Sequence, residues 1–67
     1  MPSAHVDAVV RLKEDFPTLG LRSGDRGVVV SVWLSPSGFS CEVEFPRSGG
    51  CPPVRTLLSA EQLEVVK

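Results

Sequence analysis

The sequence predicts a small all-β domain of five short strands closing into a barrel, with a single helical turn before the last strand. Three observations carry this expectation. Six glycines and six prolines fall in clusters, and the stretches between them are rich in strand-forming residues, valine above all. Apolar and polar residues alternate within those stretches, as a half-buried strand requires. Two segments, Ser35-Pro36-Ser37-Gly38 and Arg47-Ser48-Gly49-Gly50, have turn chemistry at nearly every position.

Taken in order, residues 6–12 form the first predicted strand, with Val6, Ala8, Val10 and Leu12 on one face. Residues 13–24 have no periodicity and contain Pro17, Gly20 and Gly24, so they read as a long loop folded over one end. Leu19 and Leu21 are its expected anchors to the core. Residues 26–34 form the second predicted strand, with Val28, Val30 and Val32 facing inward and Val29, Ser31 and Trp33 facing outward. The third predicted strand runs over 39–45, with Phe39, Cys41, Val43 and Phe45 alternating against Ser40, Glu42 and Glu44. Residues 52–58 form the fourth, which must begin at an edge because Pro52 and Pro53 have no N–H to donate. Ser59-Ala60-Glu61-Gln62 reads as one helical turn with a reciprocal Ser-x-x-Gln cap, and 63–66 as a closing strand.

The hairpins fix an expected register. Pairing Leu34 with Phe39 sets Val32 opposite Cys41, Val30 opposite Val43 and Val28 opposite Phe45, all on the core face. Pairing Pro46 with Cys51 sets Val43 opposite Val54 and Glu42 opposite Arg55, a favourable cross-strand charge pair. A slip by one residue turns every side chain to the wrong face. Five strands, a long first loop, tight hairpins and a helical turn before the last strand describe an SH3-like barrel. The 67 residues hold one domain, 1–67.

Size and composition exclude several classes. A chain this short buries roughly 60% of the surface its unfolded form exposes, so added support is expected. Two cysteines and one histidine are too few for a four-ligand structural zinc site. Met1-Pro2-Ser3-Ala4-His5 lacks the basic and apolar regions of a secretory signal, which predicts a cytoplasmic, reduced chain with Cys41 and Cys51 as free thiols. Oligomerisation, as a dimer or larger, remains as the expected support. Seven basic residues stand against eight acidic ones, for a net charge of −1, unlike the basic stripe of a nucleic-acid binder. No apolar run approaches the roughly 18 residues of a membrane span.

A resemblance enters on particular residues: Asp7-Ala8-Val9-Val10, Pro17-Thr18-Leu19-Gly20-Leu21, Gly24-Asp25-Arg26-Gly27-Val28-Val29, Glu42-Val43-Glu44-Phe45, Leu57 and Leu63. Together they resemble a widespread family of small bacterial proteins whose domain has no assigned function. The Leu-x-x-Gly-Asp-x-Gly-Val-Val and Glu-Val-Glu-Phe segments are specific in combination. The resemblance covers residues 6–65 and implies a compact SH3-like barrel without implying a reaction. The chain departs from that pattern at Pro46-Arg47-Ser48-Gly49-Gly50-Cys51-Pro52-Pro53, where family members are more acidic and less proline-rich. The Gly24–Val29 segment is also similar to the turn-and-strand motif of ribosome- and transcription-associated SH3-like modules, where the glycines serve the turn.

Each candidate residue has a structural reading beside a functional one. His5 is the sole histidine and has no local nucleophile to serve as base. Cys41 falls on an apolar face and reads as core. Cys51, in the second turn, reads as an exposed thiol with only Arg47 and Arg55 as cationic neighbours. Glu42 and Glu44 share a strand face about 7 Å apart and read as a solvated face or a partner contact. Trp33, with Val29 and Leu57, is the candidate partner or oligomer surface, because an outward Trp marks a contact unless the long loop covers it. Arg22, Arg26 and Arg47 form the candidate basic patch.

These readings favour a non-enzymatic interaction module that self-associates and binds a protein partner, with no cofactor or metal. The alternative is a nucleic-acid-binding module resembling ribosomal SH3-like domains. A remote third reading is an oligomeric-pore reductase, because plasmid-borne dihydrofolate reductases of similar size are SH3-like barrels. Their substrate strand carries Gln-Ile-Tyr, whereas this chain has Val54-Arg55-Thr56-Leu57 at that stretch and no tyrosine. Fold alone does not decide among these.

Overall fold

A computed structural model describes residues 5–36 and 38–66. Five strands form one antiparallel sheet: β1 Val9–Leu12, β2 Arg26–Ser35, β3 Gly38–Phe45, β4 Val54–Ser59 and β5 Leu63–Val65. Their order across the sheet is β4-β3-β2-β1-β5. The expected all-β class, strand number and helical turn are therefore present. The ladders run open, with β4 and β5 as the outermost strands.

β1 is shorter than predicted because Asp7 adopts a left-handed conformation, φ 73°. The Ala8 N–H donates to the His5 carbonyl in the same turn, so Val6 leaves the strand and is exposed. Ala8, Val10 and Leu12 keep their expected inward face. The long first loop carries a 3-10 turn, Pro17–Leu19, ended by Gly20 at φ 71°. Leu21 is buried, and Phe16 and Leu19 pack against the core. The two predicted anchors hold, and Phe16 is a third.

β2 departs most from expectation. Leu34 pairs with Phe39 and Val32 with Cys41, as the hairpin predicts. Between Val29 and Ser31 the register shifts: Ser31 faces Glu42, but Val29 faces Val43. Val30 is thus an extra residue, a β-bulge that reverses the alternation in the first half of the strand. Val29 turns inward and is fully buried, whereas Val28 stands opposite Glu44 and is exposed. The expected outward placement of Val29 and inward placement of Val28 are corrected on this ground. The β2–β3 turn closes at Ser35 and Gly38. Ser37, part of the predicted turn, lies outside the described residues, as do Met1 to Ala4.

The β3–β4 register also differs, by two residues. Phe45 pairs with Val54, Glu44 with Arg55 and Val43 with Thr56. β4 begins after Pro53 rather than at Pro52, since neither proline has an N–H for the ladder. The connection spans 46–53 instead of a four-residue turn. A shift of two preserves faces, so Leu58 still enters the core. The predicted cap is present in the 3-10 turn Ala60–Gln62: Gln62 Oε1 accepts the Ser59 N–H at 3.0 Å. Val10, Leu12, Val29, Cys41, Val43, Phe45, Leu58 and Leu63 are among the residues that form the core beneath the sheet.

Candidate interaction surface

The opposite face of the sheet follows from the register. Three cross-strand rows lie on it: Val9–Val28–Glu44–Arg55, Ser31–Glu42–Leu57, and Trp33–Ser40–Ser59. Trp33 is 59% exposed and Leu57 60% exposed, and Val9 and Val28 are also open to solvent. The first loop packs on the core instead of covering Trp33. Of the three residues expected at a contact surface, Trp33 and Leu57 are exposed on this face, and Val29 is buried on the other.

The polar groups between these apolar side chains are engaged with one another. The Ser31 hydroxyl donates to Glu42 Oε1 at 2.7 Å, and Arg55 Nη2 donates to Glu44 Oε1 at 2.7 Å. The carboxylate of Glu44 accordingly raises the Arg55 pKa through its hydrogen bond and charge. Arg11 Nε pairs with Glu64 at 3.0 Å on the β1–β5 ladder. Carboxylates hold Arg11 and Arg55 on this face, while its indole and aliphatic groups stay open and suit contact with another apolar surface.

The three arginines of the candidate basic patch sit in different surroundings. Arg26 stands opposite Arg11 on the sheet. Arg22 lines a depression of about 360 Å³ with Asp15, Pro17, Gly20 and Leu21. Arg47 lines an adjoining one of about 350 Å³ with Asp25 and Cys51, and its Nη2 donates to the Leu19 carbonyl at 2.8 Å. Asp25 also accepts the Arg22 backbone N–H at 2.9 Å. Acidic groups thus sit beside both arginines of the loop region.

The remaining candidates take ordinary positions. His5 is exposed, with Nδ1 2.9 Å from the Val6 carbonyl oxygen. Cys41 is buried, and desolvation pushes its thiol pKa above the ordinary 9.0. Cys51 is an exposed free thiol. Sequence reasoning missed Leu34, 87% exposed at the end of β2. Alternation assigns it to the inner face, and only its place next to a turn hints that it overhangs the core.

The fold and surface define a small all-β protein: one five-stranded antiparallel sheet, packed on one face and open on the other, where exposed apolar side chains stand among polar ones. The chain belongs to the family described as domain of unknown function DUF4926, whose model matches residues 7–65. No curated protein and no solved structure matches it.

Proposed function

We propose that this chain is a non-enzymatic protein-interaction module that self-associates at Trp33, and that it holds a protein partner through the sheet face around Trp33 and Leu57. The observation that carries this reading is the exposure of both side chains on one uncovered face. Trp is enriched at the centres of contact surfaces. We take the sheet to be a curled SH3-like barrel. The order β4-β3-β2-β1-β5, the long loop between β1 and β2, and the 3-10 turn before β5 support that assignment.

Light scattering after size exclusion on the wild type and Trp33→Glu tests the reading. The expected result is a dimer or larger for the wild type and a folded monomer for the variant. A variant that stays associated removes Trp33 from the contact.

A further inference from the structure

β2 has a free edge that the rest of the sheet does not share. Val29 turns its N–H and C=O to the β1 side, where they meet Ala8 and Asp7. The extra residue Val30 then shifts the hydrogen-bonding parity along with the side chains. Beyond it, that parity turns the backbone groups of Ser31 and Trp33 toward β3 and those of Val32 and Leu34 away from it. β1 pairs with β2 only through Arg26 to Val28, and its chain turns off at His5. Among the described residues, nothing pairs with this side of β2 from Val30 to Ser35.

Natural edges are blunted by charge, proline or shortness. The β4 edge follows two prolines and carries Arg55, and β5 has three residues including Glu64. Val28 to Ser35, by contrast, contains no charge and no proline. Its Leu34 and Trp33 side chains are exposed.

We infer that this edge pairs antiparallel with the same edge of a second copy, about a two-fold axis at Trp33, joining two sheets into one. This rests on the self-association proposed above and specifies its geometry. The register is set by the free groups. With Val32 opposite Leu34 of the second copy, both free residues of each chain meet free residues. A shift in one direction sets Leu34 against the bulge residue Val30. A shift in the other sets Val32 against Pro36, which has no N–H. In the chosen register every apposed side chain is uncharged, so no like charges meet. The two Trp33 rings face each other across the axis, and Leu34 of each copy covers Val32 of the other, which already packs on the core. A foreign strand gains no such symmetric match. Six residues a side place the contact below about 1,200 Å², so the dimer is concentration-dependent.

Leu34→Pro tests this, because it removes an edge N–H that points away from β3 on a residue whose side chain is exposed. Leu57→Glu is the counterpart on the sheet face, two strands from that edge. In sedimentation velocity over a concentration series, the wild type and Leu57→Glu dimerise and Leu34→Pro stays a folded monomer by circular dichroism. A dimeric Leu34→Pro with a monomeric Leu57→Glu overturns the edge pairing and moves self-association to the face. A wild type that remains monomeric throughout overturns it as well, leaving the face to be tested against a protein partner. A cross-link gives a second readout. Non-hydrogen-bonded pairs lie about 4.5 Å apart at Cα, within disulfide reach. Trp33→Cys in a Cys51→Ser background therefore forms a covalent dimer under added oxidised glutathione, and Leu57→Cys in that background does not. The reverse pattern sinks the proposal.

Discussion

Gly27 shows how closely β2 and β3 approach. A Cβ there would lie 2.7 Å from Val43 Cγ1, 2.8 Å from the Glu44 carbonyl oxygen and 2.9 Å from Phe45 Cδ2. Its neighbours include backbone and two fully buried side chains, so none gives way easily. Gly27→Ala is expected to destabilise the fold by about 1–3 kcal/mol, read as a lower urea midpoint with an unchanged slope. The two cysteines differ for an equally local reason. Cys51 is exposed and Cys41 is enclosed by the core. A thiol reagent should titrate one cysteine at once and the second only on unfolding. Burial also links Cys41 to pH. Its folded-state pKa is raised above its unfolded value, so its contribution is fully present below the ordinary thiol range and is lost as pH rises through the folded value. Wild-type stability should fall from pH of about 9 upward. Cys41→Ala, less stable throughout, should lack that thiol-dependent part of the decline.

At the scale of the element, what the sequence reveals depends on where the backbone is regular. The distal half of the β2–β3 hairpin was legible: alternation and the turn chemistry of residues 35–38 give Leu34↔Phe39 and Val32↔Cys41. The proximal half was not, because Val28-Val29-Val30 offers three identical side chains and no cue to which is the extra one. Strict alternation buries Val28 and places Val29 on the surface, the reverse of their positions in the fold. The β3–β4 offset had a cue, since consecutive prolines lengthen the connection by displacing the first ladder bond. The turn before β5 was legible in full, because Ser59 and Gln62 have both the identity and the spacing of a reciprocal cap. Gln62 Oε1 accepts from the Ser59 N–H and, at 3.3 Å, from its hydroxyl. Gln62→Ala leaves the Ser59 N–H without that acceptor, and the expected loss is about 1 kcal/mol in chemical denaturation. Gln62→Glu, which retains an acceptor oxygen at that position, should lose less.

For the whole molecule, the class of fold was legible because turn chemistry and period-two patterning agree along the chain, whereas its contact surface depends on register and burial that emerge only in three dimensions. Charge is the other property of the whole. The seven basic residues are Arg11, Lys13, Arg22, Arg26, Arg47, Arg55 and Lys67, against eight acids. Arg11 and Arg55 are held in ion pairs with Glu64 and Glu44. Arg47 donates to the Leu19 carbonyl, and both it and Arg22 lie beside acidic side chains. Arg26 is offset from those two on the sheet. Affinity for a polyanion rises with the number of phosphates met at once, and this arrangement offers at most Arg22, Arg26 and Arg47 together. Three such contacts correspond to a slope of log K against log salt of about −3, with weak binding at ~0.15 M salt. Fluorescence anisotropy with a labelled duplex and a labelled single strand should accordingly show no saturable binding at that salt. It should also show only a shallow salt dependence when ionic strength is lowered. A slope twice as steep, weakened by removing Arg22, Arg26 or Arg47 singly, would assign these arginines to a common phosphate track and favour a nucleic-acid-binding module over a protein-interaction one.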